Sequence, residues 1–263
     1  MFKADLADAT LYRKRRRANA IGLALSMAAM ALGLVALLWI LFVLLTKGLG
    51  ALTPRLFMQD TPGPGSDGGG LRNAIVGSLM MLGLTVLVAT PVGILAGIYL
   101  AEYGEQSRAA KVTRFVTDIM LSAPSIVLGL FAYAIVVAPM GHFSGYAGTL
   151  ALSLIAVPVV VRTTENMLLL VPGSLCEAAA ALGAPRWKVS LMISLRAARN
   201  GVITGLLLAI ARVSGETAPL LFTALHNQFF SADMNQPLAN LPVVIFKFAM
   251  SLDDNWIALA WGG

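Results

Sequence analysis

The polar start of the chain, Met1 to Arg17, ends in Arg13-Lys14-Arg15-Arg16-Arg17, and no charge follows until Lys47. A bilayer-crossing helix needs about 20 apolar residues. The pattern therefore predicts a first transmembrane helix over 21–46 behind a basic tail over 1–20. The apolar stretch far exceeds the core of a cleaved signal, and no small-residue cleavage site closes it, so it is read as retained. Residues 47–73 hold Pro62-Gly63-Pro64-Gly65 and Gly68-Gly69-Gly70, whose backbone freedom and missing donors predict an exposed loop. Charge is absent again from Asn73 to Ala101, which predicts a second span over Ala74–Tyr99. The gap from Asp118 to Arg162 is too long for one helix. Its break at Met140-Gly141-His142-Phe143-Ser144-Gly145 predicts spans over Ile119–Ala138 and Tyr146–Val161. A fifth span is predicted over Gly201–Ala224, and it alone carries ionisable residues in its middle, Arg212 and Glu216. Beyond His226 the apolar run Leu241 to Met250 is too short to cross. The fold class is an all-α, multi-pass helical membrane protein with five spans in this chain.

Basic residues orient the spans. Lys3, Arg13 to Arg17, Arg108, Lys111, Arg114, Arg162, Arg186, Lys188, Arg196 and Arg199 fall on one side of the predicted topology. Lys47, Arg55, Arg72 and Lys247 fall on the other, and Arg212 lies within the membrane. Cytoplasmic loops carry the excess of Lys and Arg. The N-terminus and the loops around 102–117 and 162–200 are therefore expected inside.

Composition sharpens this picture: 58% of the residues are hydrophobic, 12% are charged, and mean hydropathy is +0.80. A soluble domain carries about a quarter charged residues. The net charge of +6 and pI near 9.8 would suit nucleic acid, yet the basic residues lie where membrane topology puts them, so no nucleic-acid partner is expected. Cys176 is the single cysteine, which excludes an internal disulfide. His142 and His226 stand alone in outer segments and are expected to be solvated, with no metal site. Pro91, Pro124 and Pro158 are expected as local kinks.

Three constellations carry chemistry. In the large inner loop, Glu177-Ala178-Ala179-Ala180-Ala181-Leu182-Gly183 is strong helix former closed by a glycine, and Pro185 suits the first position of another helix. The expected form is a short helix, a bend, and a second helix feeding the fifth span; a plain surface loop is the bland alternative. In that span, Arg212 is a mid-bilayer cation, which should face a protein interior or a water-filled path. Its guanidinium can hold two oxygens of an oxyanion at once and keeps its charge when buried. Glu216 is expected one helical turn later on the same face, as a counter-charge; the alternative is that the two serve only to neutralise each other or a partner helix. Ser122 and Ser125 are candidate donors to the same anion, with interhelical packing the alternative. Arg114 and Asp118, one turn apart, are expected to pair.

Glu177-Ala178-Ala179, Gly183 and Ile193-Ser194-Leu195 resemble the EAA signature of ABC-importer permeases, with Arg196 where that family often has proline. Five further segments resemble the PstA-type phosphate permeases across nearly the whole chain. They are Gly69-Gly70-Leu71, Ala96 to Gly104, Leu121 to Ile126, Arg162 to Met167 and Ala211-Arg212-Val213-Ser214-Gly215-Glu216-Thr217-Ala218-Pro219-Leu220. The resemblance implies a type I ABC-importer permease fold over 71–263, with a cytoplasmic coupling loop at 162–200 whose Glu177, Ala178, Ala179 and Gly183 meet an ATPase. It also implies a PstC-type second permease, a PstB-type ATPase dimer and an external PstS-type binding protein, with phosphate as the cargo. This chain lacks a Walker A pattern, so ATP and Mg are expected in the ATPase, and neither catalysis nor a cofactor in this subunit. The rival readings are a permease for sulfate or molybdate, which need not share Arg212 with Glu216, and an anion channel or secondary carrier, which would need no coupling loop. Importer permeases of this type normally add a sixth span, and Leu259-Ala260-Trp261-Gly262-Gly263 looks like its outer edge, so a truncated sequence is expected.

Overall fold

The computed structural model describes residues 2–66, 68–104 and 107–263; Met1, Asp67, Glu105 and Gln106, which fall in the predicted tail and loops, lie outside them. Contacts divide the chain into two units, the first helix and the rest. Helix α1, Phe2–Ala51, continues through the predicted basic tail instead of beginning at residue 21. Hydropathy marks where a helix enters lipid, but nothing from Phe2 to Ala20 breaks a helix: the segment has no proline or glycine and is rich in Ala, Leu, Lys and Arg. Its apolar side chains stand open on all sides, with Leu32 76% and Trp39 68% exposed. A helix apolar all round is covered by lipid or by another chain.

The second unit is built around three long helices: α3, Arg72–Tyr103, which follows the short α2, Pro54–Met58; α6, Gly145–Leu169; and α8, Arg186–Ser214. Helix α6 is the most enclosed, and glycines explain why. A Cβ at Gly93 or Gly97 of α3 would come within 2.6 Å of Val160 or Thr164 of α6. On the α8 side, a Cβ at Gly205 would meet Thr163 at 2.7 Å, and Gly201 lies equally close to Met167. Each pair is a G-x-x-x-G spacing, which lets backbones approach where lipid gives no hydrophobic drive for helices to associate. Helix α6 runs past the predicted boundary at Val161 because Arg162 and Glu165 are paired within it (below), so charge does not end the helix. Pro91 and Pro158 lie inside α3 and α6.

Two predicted spans are broken. Residues Ile119 to Ala138 do not form one helix: α4, Arg108–Ser122, meets α5, Ser125–Met140, at 109°. Pro124 disfavours helical backbone at the residue before it, and Ala123 takes φ −69°, ψ 138°. Helix α4 has Lys111, Arg114 and Asp118 along one side and Val112, Phe115, Val116 and Ile119 exposed along the adjoining one, with Arg108 at its start, the pattern of a helix lying at the membrane surface. The span predicted to reach Ala224 stops at Ser214, where Gly215 caps α8. One turn, α9, Ala218–Leu221, follows, with Pro219 in its first turn. Among the described residues four helices are long and apolar enough to cross a membrane, or five if α4 with α5 forms one span.

The loop predicted to be exposed is partly packed. Leu56, Thr61 and Leu71 are buried, and Asn73 at the start of α3 donates to Thr61 Oγ1 (2.9 Å) and to the carbonyls of Asn227 and Gln228 (3.1 and 3.2 Å). Helix α10, Leu241–Ala249, is capped by Asn240, and the Leu241 amide donates to Ser78 Oγ at 2.7 Å. Helix α11, Asp254–Gly262, stacks Trp256 on Phe248.

Candidate functional site

Arg212 lies in the last turn of α8. Its neighbour Val213 is buried in a cluster with Ala89 and Ile155, which sit near the midpoints of α3 and α6, so Arg212 is at mid-span depth. Val213 points into the bundle while Arg212 is exposed, and its guanidinium meets no carboxylate or carbonyl among the described residues. Glu216 does not continue the helical face of Arg212 as expected. Gly215 has already ended the helix, and no ion pair joins the two among the described residues. The Glu216 amide donates back to the Val213 carbonyl (3.2 Å) and its side chain is half-buried. Ser122 and Ser125 flank the 109° elbow instead of lying along a straight span; the Ser122 hydroxyl is taken by the Ile119 carbonyl at 2.9 Å.

The loop at 162–200, beyond the end of α6, forms helix, turn, helix. Helix α7, Gly173–Ala181, carries Glu177 and Ala178 exposed and Ala179 buried. Gly183 takes φ +81°, the left-handed conformation that costs glycine nothing. The Ala184 amide reaches the Ala179 carbonyl (3.2 Å) and the Gly183 amide the Ala180 carbonyl (2.9 Å), the pair of bonds that closes a helix end on such a glycine. At the turn Leu182 is 90% exposed and Trp187 56% exposed. Glu102, Tyr103, Cys176, Glu177 and Arg186 border a groove behind α7, and Cys176 Sγ lies 3.4 Å from Ser194 Oγ. Ser194 ends a π turn, Val189–Ser194, through which α8 continues; Arg196, where the EAA signature often has proline, leaves the helix unbroken.

Between these two places lies a cluster that the sequence did not single out. Glu165, its side chain 3% exposed, accepts from Arg114 Nε at 2.6 Å and Arg162 Nη1 at 3.2 Å. Arg162 also reaches Asp118 at 3.6 Å. Arg114 therefore pairs with a residue on α6, not with Asp118 on its own helix. A side chain four residues away was in reach, but the buried carboxylate needs the cation more. The available signal was that Glu165 is the only acidic residue between Asp118 and Glu177.

The two histidines also differ from expectation. His142 is half-buried, with Nδ1 3.2 Å from the Phe143 carbonyl. His226 is half-buried, Nδ1 has no partner among the described residues, and burial, with a smaller effect from Lys247, lowers its pKa to about 4. Among the described residues no three His, Cys, Asp or Glu groups could hold a metal ion.

Residues 93–252 match the family described as "Binding-protein-dependent transport system inner membrane component". The "Phosphate transport system permease protein PstA" of Yersinia pestis is 58% identical over 263 residues, covering 97% of this chain and 89% of that protein. The protein of the same description from Pasteurella multocida (strain Pm70) is 58% identical over 254 residues, covering 97% and 90%. Among solved structures, the inward-facing MetNI methionine ABC transporter matches with TM-score 0.53 at 20% identity, over 71% of this chain and 81% of that one, a likeness of fold alone.

Proposed function

Because this chain belongs to the family of binding-protein-dependent transport system inner membrane components, we propose that it is the permease subunit through which an ATP-driven importer moves inorganic phosphate into the cytoplasm. The chain is a multi-pass membrane protein and a transport component, not an enzyme. The cargo is taken from the relatives' descriptions. The observation that gives this chain chemistry for it is Arg212, a permanent cation at mid-span with no partner of its own among the described residues. A phosphate passing that depth needs compensating charge, and a guanidinium supplies it with two-pronged geometry.

In this reading Arg212 contacts the anion. Glu216, on the far side of Gly215, is the counter-charge that swings toward or away from it. Ser122 and Ser125 offer hydroxyls at the elbow. A PstC-type permease completes the path, a PstS-type protein delivers phosphate from outside, and a PstB-type ATPase dimer holds the ATP and Mg. Glu177, Ala178, Ala179 and Gly183 face that ATPase, with the N-terminus on the same, cytoplasmic, side. Exposed Leu182 and Trp187 beside Gly183 support a protein partner there, since large apolar side chains on an inner loop need cover. The test is ATP hydrolysis by the assembled transporter in lipid vesicles with its binding protein, supplied in turn with phosphate, sulfate and molybdate. Stimulation by phosphate alone is expected; stimulation by sulfate or molybdate instead would move the assignment to that oxyanion.

A further inference from the structure

We propose that Glu165 is a positioning residue for coupling: through it, movement of the ATPase-facing helix α7 is delivered to the 109° elbow between α4 and α5 and onward to the segment that carries Arg212 and Glu216. The proposal rests on the importer reading above. Helix α6 ends at Leu169 and three residues separate it from α7, so Glu165 lies about one helical turn before the end of α6 that leads into the coupling helix. Both of its carboxylate oxygens are used, Oε1 by Arg114 Nε at 2.6 Å and Oε2 by Arg162 Nη1 at 3.2 Å. The other nitrogens of Arg114 donate to the Leu100 carbonyl (2.8 Å) and the Gly104 carbonyl (3.5 Å), the last turn of α3. Arg162 turns back to Asp118 on α4 at 3.6 Å. Two cations and two carboxylates thus tie the inner ends of α3, α4 and α6 into one neutral, directionally bonded block.

Helix α4 cannot slide along α6 without breaking the bonds of a carboxylate that has almost no access to water. A displacement of α7 that moves the end of α6 must therefore carry α4 with it. The next compliant place is the elbow at Ala123 and Pro124, where both residues are extended and the helical hydrogen bonds are interrupted. Beyond the elbow, Gly129 of α5 lies against the backbone of Pro219 in α9, with no room for a Cβ between them. Helix α9 begins two residues after Glu216. The chain of contacts from the coupling helix to the candidate anion site is continuous, and Glu165 is its one buried ionic joint. Physical continuity makes a coupling route possible; the coupling itself has to be measured.

The experiment uses the whole transporter in lipid vesicles and reads two rates together, ATP hydrolysis and anion uptake. Glu165→Gln keeps the shape and one accepting oxygen, but loses the charge and turns an amide NH2 toward the second arginine, so the joint is no longer stiff. It is expected to hydrolyse ATP within twofold of the parent while uptake falls at least tenfold, so that ATP used per anion rises tenfold. Two rates that fall together, or neither changing, would overturn the proposal. A second arm does not depend on that variant assembling: in a Cys176→Ser background, Asp118→Cys and Arg162→Cys, both at partly exposed positions, are joined by a short bifunctional thiol reagent. If α4 and α6 move as one, the link takes over from the lost ion pair and uptake per ATP rises above that of the same double variant left unlinked; a link that leaves that ratio unchanged or lowers it would sink the idea. Should the parent prove to carry another oxyanion, the ratio is taken with that anion, so the cargo assignment and the joint fail separately.

Discussion

Two charged places in the same helical unit are built in opposite ways. Around Glu165 every charge has its complement, the carboxylate is shut away from water, and three helix ends are held by it. At Arg212 a charge sits at mid-span depth with nothing opposite it among the described residues, beside a helix end where the backbone has just lost its regular bonds. A satisfied buried cluster spends its electrostatics on one geometry. An unsatisfied cation leaves its electrostatics for something that arrives later, a substrate or another chain. On the two proposals above, the contrast separates the part of the molecule assigned to transmitting force from the part assigned to meeting the cargo.

That contrast is broken most directly by Glu165→Ala. Removing one member of a buried pair leaves an uncompensated charge and costs about 3 kcal/mol or more. The thermal unfolding midpoint of the solubilised transporter is expected to drop by several degrees. An unchanged midpoint would mean that the cluster carries no structure. Arg212→Ala should do the reverse: the midpoint stays, because no bond is lost, while phosphate uptake by cells dependent on this system falls to background at normal membrane levels. Arg212→Lys keeps the charge without the fork and should retain only a small part of the uptake. Full uptake by Arg212→Ala would make the arginine structural and leave the cargo resting on the relatives alone.

A smaller effect tests the coupling end. At Gly183, φ +81° leaves open space but strains any side chain, so Gly183→Val costs about 1–2 kcal/mol locally and tilts the turn that presents Leu182 and Trp187. Hydrolysis stimulated by phosphate should be lost with the permease still inserted. Normal stimulation would remove this turn from the ATPase contact.

How far the sequence carried these conclusions follows from what kind of physics set each feature. Charge placement and apolar length act over whole segments, and they made the spans, the inner loop and Arg212 legible without coordinates. Gly183 was legible too, because a glycine closing an alanine-rich run has few other uses. The breaks at Pro124 and Gly215 were not, since hydropathy does not report backbone direction and a proline in an apolar run reads equally as a kink or a turn. The partner of Arg114 lies 51 residues away on another helix, whereas local spacing offered Asp118 four residues on. The cluster that local spacing missed is thus assembled by tertiary packing, whereas Arg212 and Glu216, the proposed site, lie within a single stretch of chain.

The smallest prediction sharpens why an unpartnered Arg212 is unusual. His226 is also short of a partner at Nδ1 and half-buried, but it resolves the conflict by staying neutral, its pKa lowered from 6.5 to about 4 by burial and by Lys247. A guanidinium has no such exit. The sign of the consequence is fixed: as pH falls below 6.5 the unfolded chain takes up a proton that the native protein refuses until about pH 4. Stability is therefore complete above pH 6.5 and declines as pH falls through that window. With the partial solvent exposure of this residue the loss is about 1 kcal/mol, well below what the full shift would give in a dry interior. It should appear as a lowered unfolding midpoint at pH 5 relative to pH 7.5, felt at the segment after α9 that also holds Leu225 at φ +57°. His226→Gln should flatten that slope while leaving uptake at pH 7.5 unchanged. A slope that persists in the variant would assign the pH dependence to the carboxylates, and His226 would then not be the neutral buried group that contrasts with Arg212.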